Sequence, residues 1–212
     1  PVRQDIEQAG QLVGLDLIMN VLVNKDRKVT HVFAGHPIAA HRAGVRSFME
    51  TYTSPMSNYA DTAVACTCSK YLCSSFKAVM RANLAVKDGG SIIIVAPNLE
   101  GWAPPGSVKR FAVFPESYMT LSTEELAELV VTNNVEEVRH GTAAFNYKGV
   151  CEKKNVILVT GSEYGKVARD MNMQIADSVQ EAIHRVKPSG GSQGHIVVLP
   201  DAENIYPIIH KA

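Results

Sequence analysis

Net charge is the first thing this chain lacks. Lys plus Arg and Asp plus Glu both number 21, so the formal charge at pH 7 is zero. No excess of either sign advertises nucleic acid or an acidic membrane surface, and any electrostatic work must be local. Cysteine is also scarce: four residues, Cys66, Cys68, Cys73 and Cys151, are too few for a disulfide scaffold in 212 residues. Three of them cluster as CTCSKYLC, but no Cys-x-x-Cys pair is present and a zinc site would need a further soft ligand. Thiols without a pairing pattern point to a reducing, cytoplasmic setting. No run approaches the ~20 apolar residues of a membrane span. Internal repeats, low-complexity segments and a basic stripe with interleaved aromatics are all missing, as is a legible Ser-His-Asp set.

What is present is ordinary globular composition, 46% hydrophobic and 20% charged, in a chain long enough for a full core. No linker splits it, so residues 1–212 are expected to form a single α/β domain. The chain starts at Pro1 and enters helical pattern almost at once, as if cut from a longer protein. Residues 4–13 read as a polar amphipathic helix, with Asp5 and Glu7 near its start, where the helix dipole favours acids. Leu15 to Val23 and Val29 to Phe33 read as strands about an Asn24–Arg27 turn, which makes a hairpin. Pro37 suits the first position of a helix running to about Thr51.

Ala60 to Thr67 is an apolar strand, followed by a helix over about 72–86 and a Lys87-Asp88-Gly89-Gly90 turn. SIIIVA, residues 91–96, is continuously apolar, as a strand buried on both faces should be. Strand, helix, turn and buried strand make a βαβ unit. Residues 98–118 are irregular and long for a connection, and include Trp102. Ser122-Thr123-Glu124-Glu125 is a capping box that opens a helix to about Thr132. Another helix is expected over about 143–152. NVILVT, residues 155–160, is a second buried strand. Helices near 163–170 and 178–187 and a short strand at 196–199 follow. The expected fold is α/β: a mostly parallel sheet with helices on both faces, plus an N-terminal β-hairpin.

Three groups of residues invite a chemical reading. His31, His36 and His41 recur every five residues. A zinc site would need a third ligand, and this spacing is no standard helical pair. His41 shares a helix face with Ile38, Val45 and Phe48 and is expected to face the core, and His36 before Pro37 to cap the helix. A pocket-lining role stays open. Lys77 lies near the start of the helix after the 60–67 strand. Ligands of open α/β sheets gather at strand carboxyl ends, and free helix N-terminal amides with a lysine one turn on suit a small carboxylate or phosphate. A plain surface lysine is the alternative. Gly161-Ser162-Glu163-Tyr164-Gly165 lacks both the three-glycine fingerprint and the P-loop lysine, and reads as a βα turn. Gly190-Gly191 reads as a loop.

Several segments, in order, resemble the C-terminal half of the nickel-dependent lactate racemase family: PVRQDIEQAGQLVGLDLIMNVLVN, HVFAGHPIAAHRAG, FKAVMRANLAVKDGGSIIIVA, NVILVTGS and VVLPDAENIYPII. The first 45 residues carry the most specific part. The resemblance implies the C-terminal half of a two-domain isomerase that racemises or epimerises a 2-hydroxy acid. Hydride transfer would run through a nickel-pincer nucleotide held mainly by the protein's own N-terminal domain. The catalytic residues would lie in that domain, and this fragment alone would hold neither them nor the cofactor. By position, Lys77 matches the lysine that binds the substrate carboxylate, and Ser74 replaces a neighbouring glutamine with a shorter hydroxyl. A family tryptophan near the cofactor falls close to Thr142. Arg3 stands where the family has a nickel-ligating histidine next to the cofactor. A guanidinium stays protonated and has no lone pair for a metal. Two alternatives follow: a non-catalytic small-anion-binding module that has lost the cofactor, and a histidine-metal hydrolase. Neither nucleic acid nor membrane is expected as a partner.

Overall fold

In the computed structural model the described residues are 2–24, 26–67, 70–97, 100, 117–135, 138–186 and 194–210. The side chains of Cys73, Ser74, Ser117, Met119, Arg139 and Val167 fall outside this description. So do Cys68, Trp102, Gly190 and Gly191. The chain divides into two compact units, Pro1–Thr53 and Ser54–Ala212.

The first unit holds helix α1 (Val2–Leu12), strands β1 (Ile18–Val23) and β2 (Val29–Gly35) and helix α2 (Pro37–Tyr52). β1 and β2 pair antiparallel, as the alternating apolar runs predict, with an irregularity at Leu22/Val23. The turn is built by Asn24. Its side-chain oxygen accepts from the backbone N–H of Asp26 and of Lys28, each at 3.0 Å. Arg27 completes it in the left-handed region, at φ 59°. Pro37 begins α2 as expected.

The second unit is built on a five-stranded parallel sheet of order β7-β6-β5-β4-β8. Its strands are β4 (Ala60–Cys66), β5 (Val86–Val95), β6 (Asn155–Val159), β7 (Gln174–Ala176) and β8 (Ile196–Leu199). A separate pair joins β3 (Thr53–Met56) to β9 (Tyr206–Ile209). The helices are α3 (Leu72–Asn83), α4 (Ser117–Thr120), α5 (Thr123–Val131), α6 (Val138–Cys151), α7 (Gly165–Asp170) and α8 (Val179–Arg185), with a 3₁₀ turn at Ser162–Tyr164.

Both faces of the central strands are covered, which is why SIIIVA and NVILVT are apolar without alternation. Ile92, Ile94, Val156 and Leu158 point into a larger cluster with Leu72, Val79, Leu126 and Tyr147 of α3, α5 and α6. Ile93, Ile157 and Val159 point the other way, onto Val179, Ala182 and Ile183 of α8. The ring of Tyr147 meets Phe76 edge-on at 4.8 Å, and its hydroxyl donates to the carbonyl of Met171 at 2.7 Å. That is how a phenol is accommodated in a core.

The expected fold class is thus the observed one, with three local differences. Lys87 to Gly90 is not a turn but the first part of β5, where the register jumps from Ala60↔Val86 to Thr62↔Ser91. The glycines serve a bulge: Gly89 has φ +78°, and a Cβ on Gly90 would lie 2.6 Å from the carbonyl oxygen of Asp61. α6 starts at Val138, five residues before the expected start. Strands β3, β7 and β9 are three or four residues long, too short to show a period.

Candidate functional site

The strand order places the switch point of the parallel sheet between β4 and β8. From β4 the chain steps to β5, β6 and β7 on one side, then returns to add β8 on the other. Carboxyl ends at such a point form a crevice suited to ligands. Here the turn after β8 closes over the end of β4, with the N–H of Ala202 donating to the carbonyl of Cys66 at 3.0 Å. Thr67, buried just past β4, donates its hydroxyl to Glu203. The pair joins residues 136 apart, and no local signal marks it.

Beside the crevice, Lys70 and Glu100 form an ion pair at 2.6 Å, and the Tyr71 hydroxyl reaches the same carboxylate at 3.4 Å. The Lys70 ammonium holds the Glu100 carboxyl below its ordinary range, and Glu100 in turn raises Lys70. Both charges are therefore committed to each other. Lys77 is different. It is exposed, on the side of α3 away from Leu72, Phe76 and Val79. No side-chain hydrogen bond or ion pair ties it to another described residue. Helical side chains lean toward the N-terminus, so Lys77 leans toward the first turn of α3. At that end the N-cap is Tyr71, whose side chain makes no capping bond. The amides of the first turn thus have no side-chain acceptor at Tyr71 and retain capacity for an anion. Ser74 lies in that first turn, with its side chain outside the described part.

Arg3 belongs to the other unit. Its Nε donates to Glu7 at 3.0 Å, one helical turn on, and Arg42 of α2 reaches the same carboxylate at 3.4 Å. The Arg3 hydrogen bond, then the charge of Arg42, holds the Glu7 carboxyl low. Arg3, Glu7, His36 and Pro37 line a small cavity of about 110 Å³ within this unit. Glu7 and Arg42 had no motif to announce them. Their i,i+4 and long-range partners appear only once the helices are placed.

The histidines do not converge. His31 is exposed on β2, stacked at 6.2 Å on Phe33, and 3.2 Å from the hydroxyl of Thr30. His36 occupies the N-cap position of α2, but its side chain makes no capping bond, which corrects the capping expectation. A neutral imidazole has a single acceptor nitrogen on a rigid ring, whereas the Ser, Thr, Asp and Asn oxygens that cap helices offer two lone pairs each to the N2 and N3 amides. His41 is half-buried, facing Phe33 and Phe48 in an open hollow of the first unit, with an Nδ1 that has no hydrogen-bond partner. Among the described residues no three His, Cys, Asp or Glu side chains come together as metal ligands. A hydrolytic zinc centre has no scaffold there. Arg3 likewise offers nickel no lone pair, so it does not fit a nickel-ligand role.

Gly161 to Gly165 is a βα turn. The carboxylate of Glu163 folds back over Gly161, where it would repel a phosphate. Thr142 is exposed on α6, its hydroxyl bonded to the carbonyl of Val138 at 2.8 Å. Cys66 and Cys151 are half-buried thiols, and burial pushes that of Cys151 up, away from thiolate reactivity. No helix among the described residues is long and apolar enough to cross a membrane.

Comparison with known proteins places this geometry. The lactate racemase of Thermoanaerobacterium thermosaccharolyticum is 25% identical over 97% of this chain, and that of Lactiplantibacillus plantarum 23% identical over 94%. The chain spans about half the length of these relatives, 48% and 47% respectively. The structure of the T. thermosaccharolyticum lactate racemase apoprotein superposes with a TM-score of 0.79 at 22% identity, over 98% of this chain and 49% of that one. A crystal structure of a Thermotoga maritima protein shares the fold more loosely, with a TM-score of 0.55 at 13% identity over 90% of this chain and 48% of its own. The family described as lactate racemase C-terminal domain matches residues 69–206, which takes in α3, Lys77 and most of the parallel sheet. On that match, covering well over half of its residues, the chain belongs to the lactate racemase C-terminal domain family.

Proposed function

We propose that this chain is the C-terminal part of a lactate racemase-like isomerase that racemises or epimerises a 2-hydroxy acid. The observation that carries the reading is the first turn of α3 beside the switch point of the sheet. It combines an N-cap side chain that leaves the amides alone with a lysine that has no described partner. Lys77 binds the substrate carboxylate as a point charge, and the Ser74 hydroxyl adds a hydrogen bond. Fixing the carboxylate leaves C2 and its hydroxyl to the groups that do the chemistry. Those groups, with the nickel-pincer nucleotide of the full-length parent, belong to the protein's own N-terminal domain, and by itself the 212-residue chain is inactive. In this reading Arg3 serves the cofactor as a neighbouring cation and not as a metal ligand. The working compartment is the cytoplasm.

The test is a single set of assays on the full-length parent, purified with the cofactor-making enzymes present. Interconversion of a panel of 2-hydroxy acid enantiomers, intact mass and nickel content are measured for the wild type and for Lys77→Ala. Expected are stereochemical interconversion of one acid and a loss of about 10- to 100-fold in kcat/KM for the variant, the range of a hydrogen bond to a charged group. Unchanged kinetics in Lys77→Ala would overturn the carboxylate role. An unmodified mass with no nickel and no interconversion favours the second reading, a small-anion-binding module without cofactor, which Arg3 and Ser74 favour as departures from the family pattern.

A further inference from the structure

Residues 2–53 form four elements yet enclose almost no interior. Among their described residues only Ala40 and Gly44 are buried, and α1 holds no buried residue. α2 packs on one side of the hairpin, where Gly44 approaches the ring of Phe33, the register partner of Asn20. The other side is aliphatic and open. The register sets Met19 opposite Ala34, Val21 opposite Val32 and Val23 opposite Val29. Met19 is 68% exposed, Val32 57% and Val21 46%. Among the described residues the sheet has two strands, so each keeps an edge that no third strand pairs. A two-stranded hairpin with one bare apolar face is at best marginally stable in water, and a segment of this size needs most of its apolar surface covered.

We infer that residues 1–53 are not part of the C-terminal domain but the closing piece of the preceding one, and that the open face of the hairpin is the surface on which the rest of that domain packs. Two further observations select this occupant. The match to the C-terminal domain family runs over residues 69–206 and takes in no residue of this unit. The relatives are about twice as long as this chain, so a polypeptide of similar size is available to cover the face. The inference rests on the proposed function only in taking the parent to be longer than this chain. The partner is therefore covalently attached, and supplies strands for the open edges and apolar side chains for the valine face.

Hydrogen–deuterium exchange, read by mass spectrometry on the 212-residue chain and on the full-length parent, tests it without cofactor, substrate or activity. Sedimentation velocity accompanies both. The chain alone should be monomeric, and its peptides over 18–35 should exchange at least about 100-fold faster than in the parent, while those over 60–66 and 155–159 match. The double variant Val21→Asp, Val32→Asp in the parent should bring 18–35 to the rate of the isolated chain and leave the parallel sheet protected. Equal protection of 18–35 in a monomeric isolated chain would overturn the inference. A dimer of the isolated chain that the double variant dissociates would assign the face to a second copy. A parent without polypeptide before Pro1 ends it outright. Because racemase activity is not a readout, a parent that folds this way but interconverts nothing refutes the function alone.

Discussion

Lys77 and Arg3 carry the same formal charge in opposite circumstances. Arg3 is neutralised by Glu7, which a second guanidinium, Arg42, also approaches. Lys77 stands on an exposed helix face beside an N-terminus that already favours anions. A cation committed to a carboxylate must give that pair up before it can hold a ligand; one without a partner need not. Gly90 shows the same dependence on surroundings. Its letter in the sequence reads as a turn residue, yet in the fold it sits where β4 and β5 leave no room for a side chain. A Cβ there would meet Val86 Cγ1 at 2.5 Å and the Lys87 carbonyl oxygen at 2.9 Å. Gly90→Ala should therefore lower stability by about 1–3 kcal/mol, the cost of overpacking, read as a lower urea midpoint at unchanged m-value.

Helices and strands with strong local signals were legible from the sequence alone. The Ser122 capping box forms as written: the Glu125 N–H donates to the Ser122 hydroxyl at 3.1 Å, and the Ser122 N–H donates to the Glu125 carboxylate at 2.7 Å. That backbone bond is also the main cause of the lowered Glu125 carboxyl. The box starts α5 so that Leu126 falls into the core. Ser122→Ala should cost about 1 kcal/mol and Ser122→Asp much less, by thermal or urea unfolding. The hairpin, the helix at Pro37 and the strands SIIIVA and NVILVT were equally visible. The bulge at Lys87–Gly90 and the strands β3, β7 and β9 were not. A bulge and a three-residue strand exist because a neighbouring strand pairs with them, and that neighbour is far away in sequence.

At the scale of the whole molecule, zero net charge conceals a set of local pairs. Asp61 accepts from Lys87 at 2.6 Å and from the His195 N–H at 2.8 Å, which ties β4, β5 and the start of β8 together. Lys87, then the His195 amide, holds its carboxyl below the ordinary 3.8. Glu7 and Glu100 are lowered by Arg3 and Lys70, and Glu181 first by the Asp177 amide. In each case the folded state binds its proton less readily than the unfolded state does. The stabilisation is therefore complete above the ordinary carboxyl range near 4.5 and is lost as pH falls through the lowered values. Thermal unfolding should show a Tm level from pH 7 to about 5 and dropping below about 4.5, with added salt reducing the contribution of the Lys and Arg pairs. A flat Tm down to pH 3 would mean these pairs add nothing to stability.

The sequence by itself determined the fold class of this protein, because periodicity, caps and buried runs are local and survive in a linear string, and it carried the segments whose resemblance pointed to the family. It also marked Lys77 as a candidate, since a lysine after a strand-to-helix turn is well placed for an anion in an open α/β sheet. Only the tertiary structure decided the strand order that puts the switch point between β4 and β8, the Thr67–Glu203 contact, the commitment of Arg3 to Glu7 and the failure of three histidines to meet. It also decided that the first 45 residues, which read as the most specific part of the resemblance but precede the family match over 69–206, lie in a unit with scarcely any core of its own. The physical reason is common to all of these. Each depends on which distant segments share space, and that is settled by burial and pairing across the whole chain, not by any window of it.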